Sequence, residues 1–302
     1  MAPKLLLPGR VIAAHGRHYE VELADGQVLK CFPRGKKSGV AVGDLVDVQP
    51  QGVDEGVIER CKERRNLLYR SDEMRTKQFA ANVDQLLIVV AVEPAFSDEL
   101  VGRAMVAAHS ADIPVAMALN KADLLEGLPL ARQRIKKLAQ SIDVPVVEIS
   151  AVNAEATRAA LLPLLQGRTT LLLGQSGMGK STILNALVPD AKAHTQEHSV
   201  ALDAGKHTTT STRLYHLPGD QGDLIDSPGF QNFGLFHLSA GDIERGFAEF
   251  ASHAENCRFY NCAHRQEPGC GVLAAISQGL IDADRHSLYL RLLAENEAQQ
   301  RY

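Results

Sequence analysis

Residues 169–181 read TTLLLGQSGMGKS, an apolar run that passes directly into a glycine-rich turn ending in Gly-Lys-Ser. The run predicts a buried strand, and residues 179–187 continue as a helix. Gly174-Gln175-Ser176-Gly177-Met178-Gly179-Lys180-Ser181 therefore falls at a strand–helix junction. A turn of this composition lets backbone N–H groups point inward around phosphate oxygens, and the helix N-terminus adds favourable potential. Lys180 is placed to reach the β- and γ-phosphates and Ser181 to bind Mg²⁺, with Thr182 beside them among the nucleotide-binding residues.

The rest of the chain fits a layered fold around that junction. Apolar strands at 84–92, 113–119 and 144–149 alternate with helical stretches near 97–110, 129–141 and 154–165, which predicts a parallel, doubly wound α/β sheet. Ahead of it, VIAA, HYEVEL, QVLKCF, LVDVQP and GVIERC are separated by Gly-rich breaks, with Ala24-Asp25-Gly26 as a hairpin signal. Five short strands predict a small closed barrel of the OB or SH3-like kind. From Phe236 the pattern is helical, opening on a capping signal at Ser239-Ala-Gly-Asp242 for a helix to about His253 and continuing at 271–279 and 282–299. The expectation is a multidomain α/β chain: an OB-type β-barrel at 1–62, a nucleotide-binding domain at 63–235 and a helical metal-binding domain at 236–302. Two basic stretches stand out, Pro33–Gly39 (PRGKKSG) and Arg60–Lys77. The first suits either RNA binding or a solvated hairpin tip; the second reads as a solvated linker face or a nucleic-acid contact.

A phosphate loop does not name a base. Asn120-Lys121-Ala122-Asp123 does, because it ends the strand at 113–119. The Asp123 carboxylate can accept from guanine N1–H and the 2-amino group, neither of which adenine offers, and a buried acceptor without a partner is costly. The Lys121 stem can cover the flat face of the base and Asn120 can tie this loop to the phosphate loop. After the next strand, Ser150-Ala151 offers a backbone N–H to guanine O6. Downstream, Asp226 and Gly229 of LIDSPG form a D-x-x-G pattern, Asp226 to hold Mg²⁺ through water and the Gly229 N–H to sense the γ-phosphate. Between these lies Lys206-His207-Thr208-Thr209-Thr210, where a threonine could complete the Mg²⁺ shell. A Ras-like GTPase carries the same pieces as phosphate loop, switch threonine, D-x-x-G, N-K-x-D and S-A. Here the last two come first, so the domain reads as a circularly permuted P-loop GTPase whose loops still meet at the C-terminal edge of the sheet.

The cysteines point the same way as the compartment. Five is an odd count, and Cys257-x4-Cys262-x-His264-x5-Cys270 supplies three thiolates and an imidazole, the donor set of a closed structural zinc site in a cytosolic protein. None of the expected nucleotide ligands comes from this knot. The longest apolar runs, Leu86–Val92 and Ile113–Leu119, fall well short of the ~20 residues that span a bilayer. The N-terminal MAPKLLLPGR is not expected to be a secretory signal. A net charge of −4 does not by itself name a polyanionic partner.

GQSGMGKS, KHTTT, LIDSPGF and C-x4-C-x-H-x5-C, in this permuted order behind a small barrel, resemble the RsgA (YjeQ) family of circularly permuted GTPases. The resemblance implies GTP hydrolysis in late maturation of the small ribosomal subunit, one structural Zn²⁺, Mg²⁺ with GTP or GDP, and nucleotide-dependent binding of the subunit and its rRNA through the barrel and the zinc domain. A cytoplasmic monomer without a membrane partner is expected. Where Ras-like enzymes place a water-orienting Gln after D-x-x-G, this chain has Phe230, so turnover is expected to be slow alone and stimulated by the subunit. His207, beside the switch threonines, is the candidate catalytic group together with Lys180. A different class would be a zinc-stabilised RNA-binding protein with a passive or degenerate nucleotide site, told apart by its lack of turnover. A P-loop ATPase or nucleotide kinase is a third, against which Asp123 argues.

Overall fold

Alternating residues build the first layer. The computed structural model describes residues 5–35, 39–71, 76–139, 144–189, 191, 212–227, 235 and 237–300, so His207, Thr208–Thr210, Gly229 and Phe230 lie outside the described residues. Strands β1 (Leu7–Ala14), β2 (Tyr19–Leu23), β3 (Val28–Pro33), β4 (Leu45–Gln51) and β5 (Glu55–Cys61) turn Val11, Val21, Leu29, Val46, Val48 and Ile58 into one small core. Their order β1-β2-β3-β5-β4 closes through a β1–β4 pairing, and β3 runs parallel to β5. This is a Greek-key barrel of the OB kind, which decides between the two barrel types.

The stretch Arg60–Lys77, read as a solvated linker face or a nucleic-acid contact, contributes to an antiparallel hairpin, β6 (Leu67–Ser71) with β7 (Thr76–Ala81). Part of its basic charge is used inside the chain. Arg60 pairs with Asp47 (2.5 Å), Arg64 with the fully buried Asp44 (2.6 Å) and Arg65 with Asp84 (2.5 Å). A buried carboxylate requires such a partner, and charge counting along the sequence cannot see it.

β8 (Gln85–Ala91) is buried at every position and lies at the centre of the second layer. Around it are β9 (Val115–Asn120), β10 (Val146–Glu148), β11 (Arg168–Leu173), β12 (Arg213–His216) and β13 (Gly222–Asp226), in the order β10-β9-β8-β11-β13-β12. All pairings are parallel except β12–β13. Helices α1 (Asp98–Ser110), α2 (Leu128–Ala139), α3 (Ala154–Leu165) and α4 (Lys180–Leu187) connect these strands as expected. β12, which was not anticipated, joins β1 antiparallel at Ala13–Arg213, so barrel and sheet form one run of eleven strands.

Ionic contacts flank this seam. Arg10 Nη1 lies 2.5 Å from Asp223 and Arg10 Nη2 donates to Thr169 Oγ1 (2.8 Å), while His216 bridges Asp223 (2.7 Å) and Glu22 (2.8 Å). Burial works against the charged imidazole, but the hydrogen bonds it donates to the two carboxylates outweigh it and raise His216 above its ordinary pKa. A raised folded-state pKa contributes stability in full below the unfolded value of ~6.5 and loses it as pH rises through the folded value. The ring is half exposed, so the contribution should stay below about 1 kcal/mol. Melting curves of wild type and His216→Gln from about pH 5.5 to 8.5 should differ most at the acid end and converge at the alkaline end. A difference independent of pH would remove the charge from the explanation.

The C-terminal region holds α5 (Ala240–Arg245), α6 (Ala248–Ala254), α7 (Gly271–Ser277) and α8 (Ala283–Gln300). Ser239 caps α5 in a reciprocal box with Asp242, as its sequence signals. The single helix expected to His253 is broken at Gly246–Phe247. A Cβ on Gly246 would lie 2.4 Å from Val106 Cγ1 of α1, and Phe247 is buried. These helices seat on α1: Gly102 faces Leu288, and Arg103 bonds Glu295 (2.5 Å) as well as Glu99 (2.8 Å). Among the described residues no helix is long and apolar enough to cross a membrane.

Candidate functional site

The phosphate-type loop runs from the end of β11 to the start of α4. Gly179 is the helix N-cap, with φ 90° and ψ 21°, and a Cβ there would lie 2.2 Å from Asn120 Nδ2. Only glycine combines that left-handed backbone with so close a neighbour. Lys180 Nζ folds back over the loop, donating to the Gly174 (2.5 Å) and Gln175 (2.9 Å) carbonyls, and its burial lowers its pKa. Ser176, Gly177, Ser181 and Thr182 are exposed, so their groups are open to a ligand, while Met178 is buried beneath them.

Asn120 is the fastener. Its Nδ2 donates to the Met178 carbonyl (2.8 Å) and its Oδ1 accepts from the Ala151 N–H (3.0 Å), so one buried amide binds three separate loops. Lys121 takes φ 60°, which turns the chain sharply after β9, and Asp123 comes to the surface where the Ser150 hydroxyl donates to its Oδ1 (2.5 Å). Asn120, Lys121, Asp123, Ser150 and Ala151 thus stand beside Gly174–Ser181, as the sequence order alone requires the fold to arrange.

Asp226 ends β13, almost fully buried. Burial pushes its carboxyl up, opposed by the Lys180 charge and the Ser227 N–H. A carboxylate placed there is suited to a divalent cation, and the exposed Ser181 hydroxyl at the start of α4 supplies a second oxygen donor.

Five contacts at the loops and the metal cluster have no counterpart in the motif reading. The Ser97 N–H donates to Gln175 Oε1 (2.6 Å), tying the phosphate-type loop to the N-cap of α1. Thr212 and Ser227 bond hydroxyl to hydroxyl (3.0 Å) next to Asp226. In the metal cluster, Glu244 and the main chain of α7 take part, as described next. All of these but the Leu273–Cys270 bond, which lies within one turn, join residues fourteen or more apart, and among those Ser97, a helix cap before Asp98-Glu99, carried a local signal.

Cys257, Cys262, His264 and Cys270 converge, with their ligand atoms all within 4.8 Å of one another. Metal–sulfur bonds of ~2.3 Å in a tetrahedron give sulfur–sulfur edges of about 3.8 Å. The Cys257 and Cys270 Sγ atoms stand 3.8 Å apart, and His264 Nδ1 lies 3.6 Å and 3.3 Å from them. His264 Nε2 sits 3.3 Å from Glu244 Oε1, which aims Nδ1 at the thiols, the usual outer-shell arrangement of a ligating imidazole. The Gly271 N–H donates to Cys257 Sγ (3.3 Å) and the Leu273 N–H to Cys270 Sγ (3.5 Å). Burial pushes the Cys262 thiol up to about 12, so donors packed this closely favour a cation that displaces their protons. The cluster can hold a metal ion.

Residues 61–236 match the family model described as RsgA GTPase. A Bordetella pertussis protein named small ribosomal subunit biogenesis GTPase RsgA is 65% identical over 294 residues, covering 97% of this chain and 98% of the relative. Its namesake in Ralstonia pickettii is 55% identical over 296 residues, covering 97% and 94%. Among solved structures, the chain is similar to YjeQ from Thermotoga maritima, with a TM-score of 0.72 and 29% identity over 97% of this chain and 99% of that one. It is also similar to YloQ, described as a circularly permuted GTPase, with a TM-score of 0.70 and 25% identity over 98% and 96%.

Proposed function

The chain belongs to the RsgA GTPase family, and from that premise we propose that it hydrolyses GTP as an assembly factor in late maturation of the small ribosomal subunit. The observation that carries this reading is Asn120. Its one amide sets the base-reading loop, the Ser150-Ala151 turn and the phosphate loop as a single unit, so the permuted chain has the parts of a guanine site in one place.

In this reading Asp123 reads the guanine edge, Lys121 covers its face and the Ala151 N–H meets O6. The Gly174–Thr182 loop holds the phosphates, and the Thr208–Thr210 segment and Gly229 respond to the γ-phosphate. Ser181 and Asp226 would hold Mg²⁺, which supplies charge neutralisation on the transferring phosphoryl group. The Cys257, Cys262, His264 and Cys270 cluster takes Zn²⁺ in a structural role, supported by its tetrahedral spacing and fully protein donor set. The protein works in the cytoplasm as a monomer, contacting rRNA through the barrel and the zinc region, with domain divisions near residues 62 and 235.

Turnover should be slow alone and stimulated by the subunit, because Phe230 cannot position water where a Gln would. His207 is the group proposed to do so. The test is GTP turnover with and without purified small subunits, followed by single-turnover hydrolysis of His207→Ala, once that variant is known to bind both GTP and the particle. Loss of stimulation in the variant supports the assignment. A wild-type rate would transfer the role to the particle, and no turnover under any condition would favour a passive nucleotide switch on an RNA-binding protein.

A further inference from the structure

The seam between barrel and sheet lies directly on the nucleotide site. Arg213 is the register partner of Asp226 across β12–β13 and of Ala13 across β1–β12, so one residue stands between the magnesium carboxylate and the barrel. Thr212, just before it, bonds Ser227 by its hydroxyl, and its carbonyl accepts from the Ala14 N–H of β1 (3.2 Å). In sequence, Thr212 is also the second residue after Thr210.

The side chains repeat this connection. Arg213 Nη2 lies 2.9 Å from Glu20 Oε2 on β2, and Glu20 Oε1 lies 2.9 Å from His15 Nε2. The Arg213 and Glu20 side chains are only 17% and 26% exposed, so solvent and salt screen them less than an ordinary surface pair. The hydrogen bond to His15, aided by Arg213, holds the Glu20 carboxyl down at about 2 against its burial, and it remains charged throughout the working pH range.

Resting on the functional reading above, we infer that the Arg213–Glu20 pair couples the barrel to the nucleotide held at Asp226, and so sets how far subunit affinity depends on which nucleotide is bound. Both ends act on the same element. A displacement of Asp226 and Ser227 at the end of β13 moves its neighbour β12 and with it Arg213, and the ion pair carries that movement to β2 while the main-chain bond carries it to β1. The coupling is reciprocal by linkage: the factor by which nucleotide changes subunit affinity equals the factor by which the subunit changes nucleotide affinity.

The readout is a ratio, measured on the full-length, zinc-loaded protein. It is the affinity for purified small ribosomal subunits with a non-hydrolysable GTP analogue, divided by the affinity with GDP. For the wild type this ratio should depart from one by roughly 5- to 150-fold, the usual range of allosteric coupling. Glu20→Gln and Arg213→Gln should each bring it to within about twofold of one, while Arg213→Lys, which keeps the charge, should retain most of it. The double Gln variant should be no further shifted than either single, because both remove the same link. A purely structural role would weaken binding in both nucleotide states alike and leave the ratio in place, which overturns the inference. A wild-type ratio of one overturns nucleotide-dependent subunit binding and the coupling with it, while the assembly-factor reading stands or falls separately by the GTP turnover test above. Should Arg213→Gln fail to fold, Glu20→Gln, which is not itself a proposed nucleotide ligand, carries the same test alone.

Discussion

Asp123→Asn should lower GTP affinity on the order of 10³-fold and make XTP the preferred nucleotide. Two charge-assisted hydrogen bonds to the guanine edge are lost, and the new amide N–H₂ opposes the guanine 2-amino group. Xanthine carries a carbonyl at that position, which the same N–H₂ can meet, while the remaining side-chain oxygen still accepts from N1–H. The setting helps the swap, because Ser150 holds the side chain through one oxygen and Asp123 is exposed, so no buried charge is stranded. Displacement of a fluorescent GDP by GTP and by XTP measures both changes. A variant that still selected GTP would place base recognition elsewhere.

The second large effect concerns the metal. Cys262→Ser should drop zinc content below one per chain, and with it much of the free energy that orders residues beyond 237, since binding energy at a structural zinc is folding energy. The consequence should not stop at the knot. α8 is tied to the cluster by Tyr289, whose hydroxyl donates to the Ala263 carbonyl (3.1 Å), and by His286, whose Nε2 lies 2.7 Å from the His264 carbonyl. The same helix presents Leu288 and Glu295 to α1. Amide hydrogen exchange should therefore rise in α5–α8 and on the face of α1 around Gly102 and Val106. Nucleotide binding should survive, weakened by less than about tenfold, because none of the proposed nucleotide ligands comes from the cluster, and the N-cap of α1 meets the phosphate loop through the Ser97–Gln175 hydrogen bond, which the metal does not hold. Full zinc occupancy would remove Cys262 from the ligand set, and unchanged exchange in α1 would show that its covering helices do not need the metal.

What could be read from the sequence follows from how local each cause is. The barrel strands, the buried β8 and helices α1 to α4 announce themselves by periodicity within a few residues, and the motif loops by spacing. The hairpin β6–β7 did not, because its strands share a stretch dense in charge, and the carboxylates that neutralise Arg60, Arg64 and Arg65 come from residues 44, 47 and 84. The break at Gly246 depends on Val106, far away in the chain, whereas the Ser239–Asp242 cap at the other end of the same helix needed only its own neighbours. At the site the division is the same: Lys180 and Asp123 were legible as residue types, but the hydrogen bond from Ser97 to Gln175 and the Thr212–Ser227 pair exist only once the sheet has assembled.

The strand order also bears on how the chain is made. Of the second layer, synthesis delivers β8, β9 and β10 before β11, so the loops carrying Asn120, Asp123 and Ser150 leave the ribosome before any phosphate-holding residue exists. Until residues 168–173 arrive, β8, buried at every position, has a partner on one side only, because β9 is already made while β11, its other neighbour, is not, and β13 follows later still. A nascent chain stalled at that length would present a bare apolar edge with no nucleotide able to anchor it, the kind of edge that recruits other chains or a chaperone. With the base-reading loops ahead of the phosphate loop, ligand-assisted folding waits until residue 182 of 302, about three-fifths of the polypeptide, has been translated.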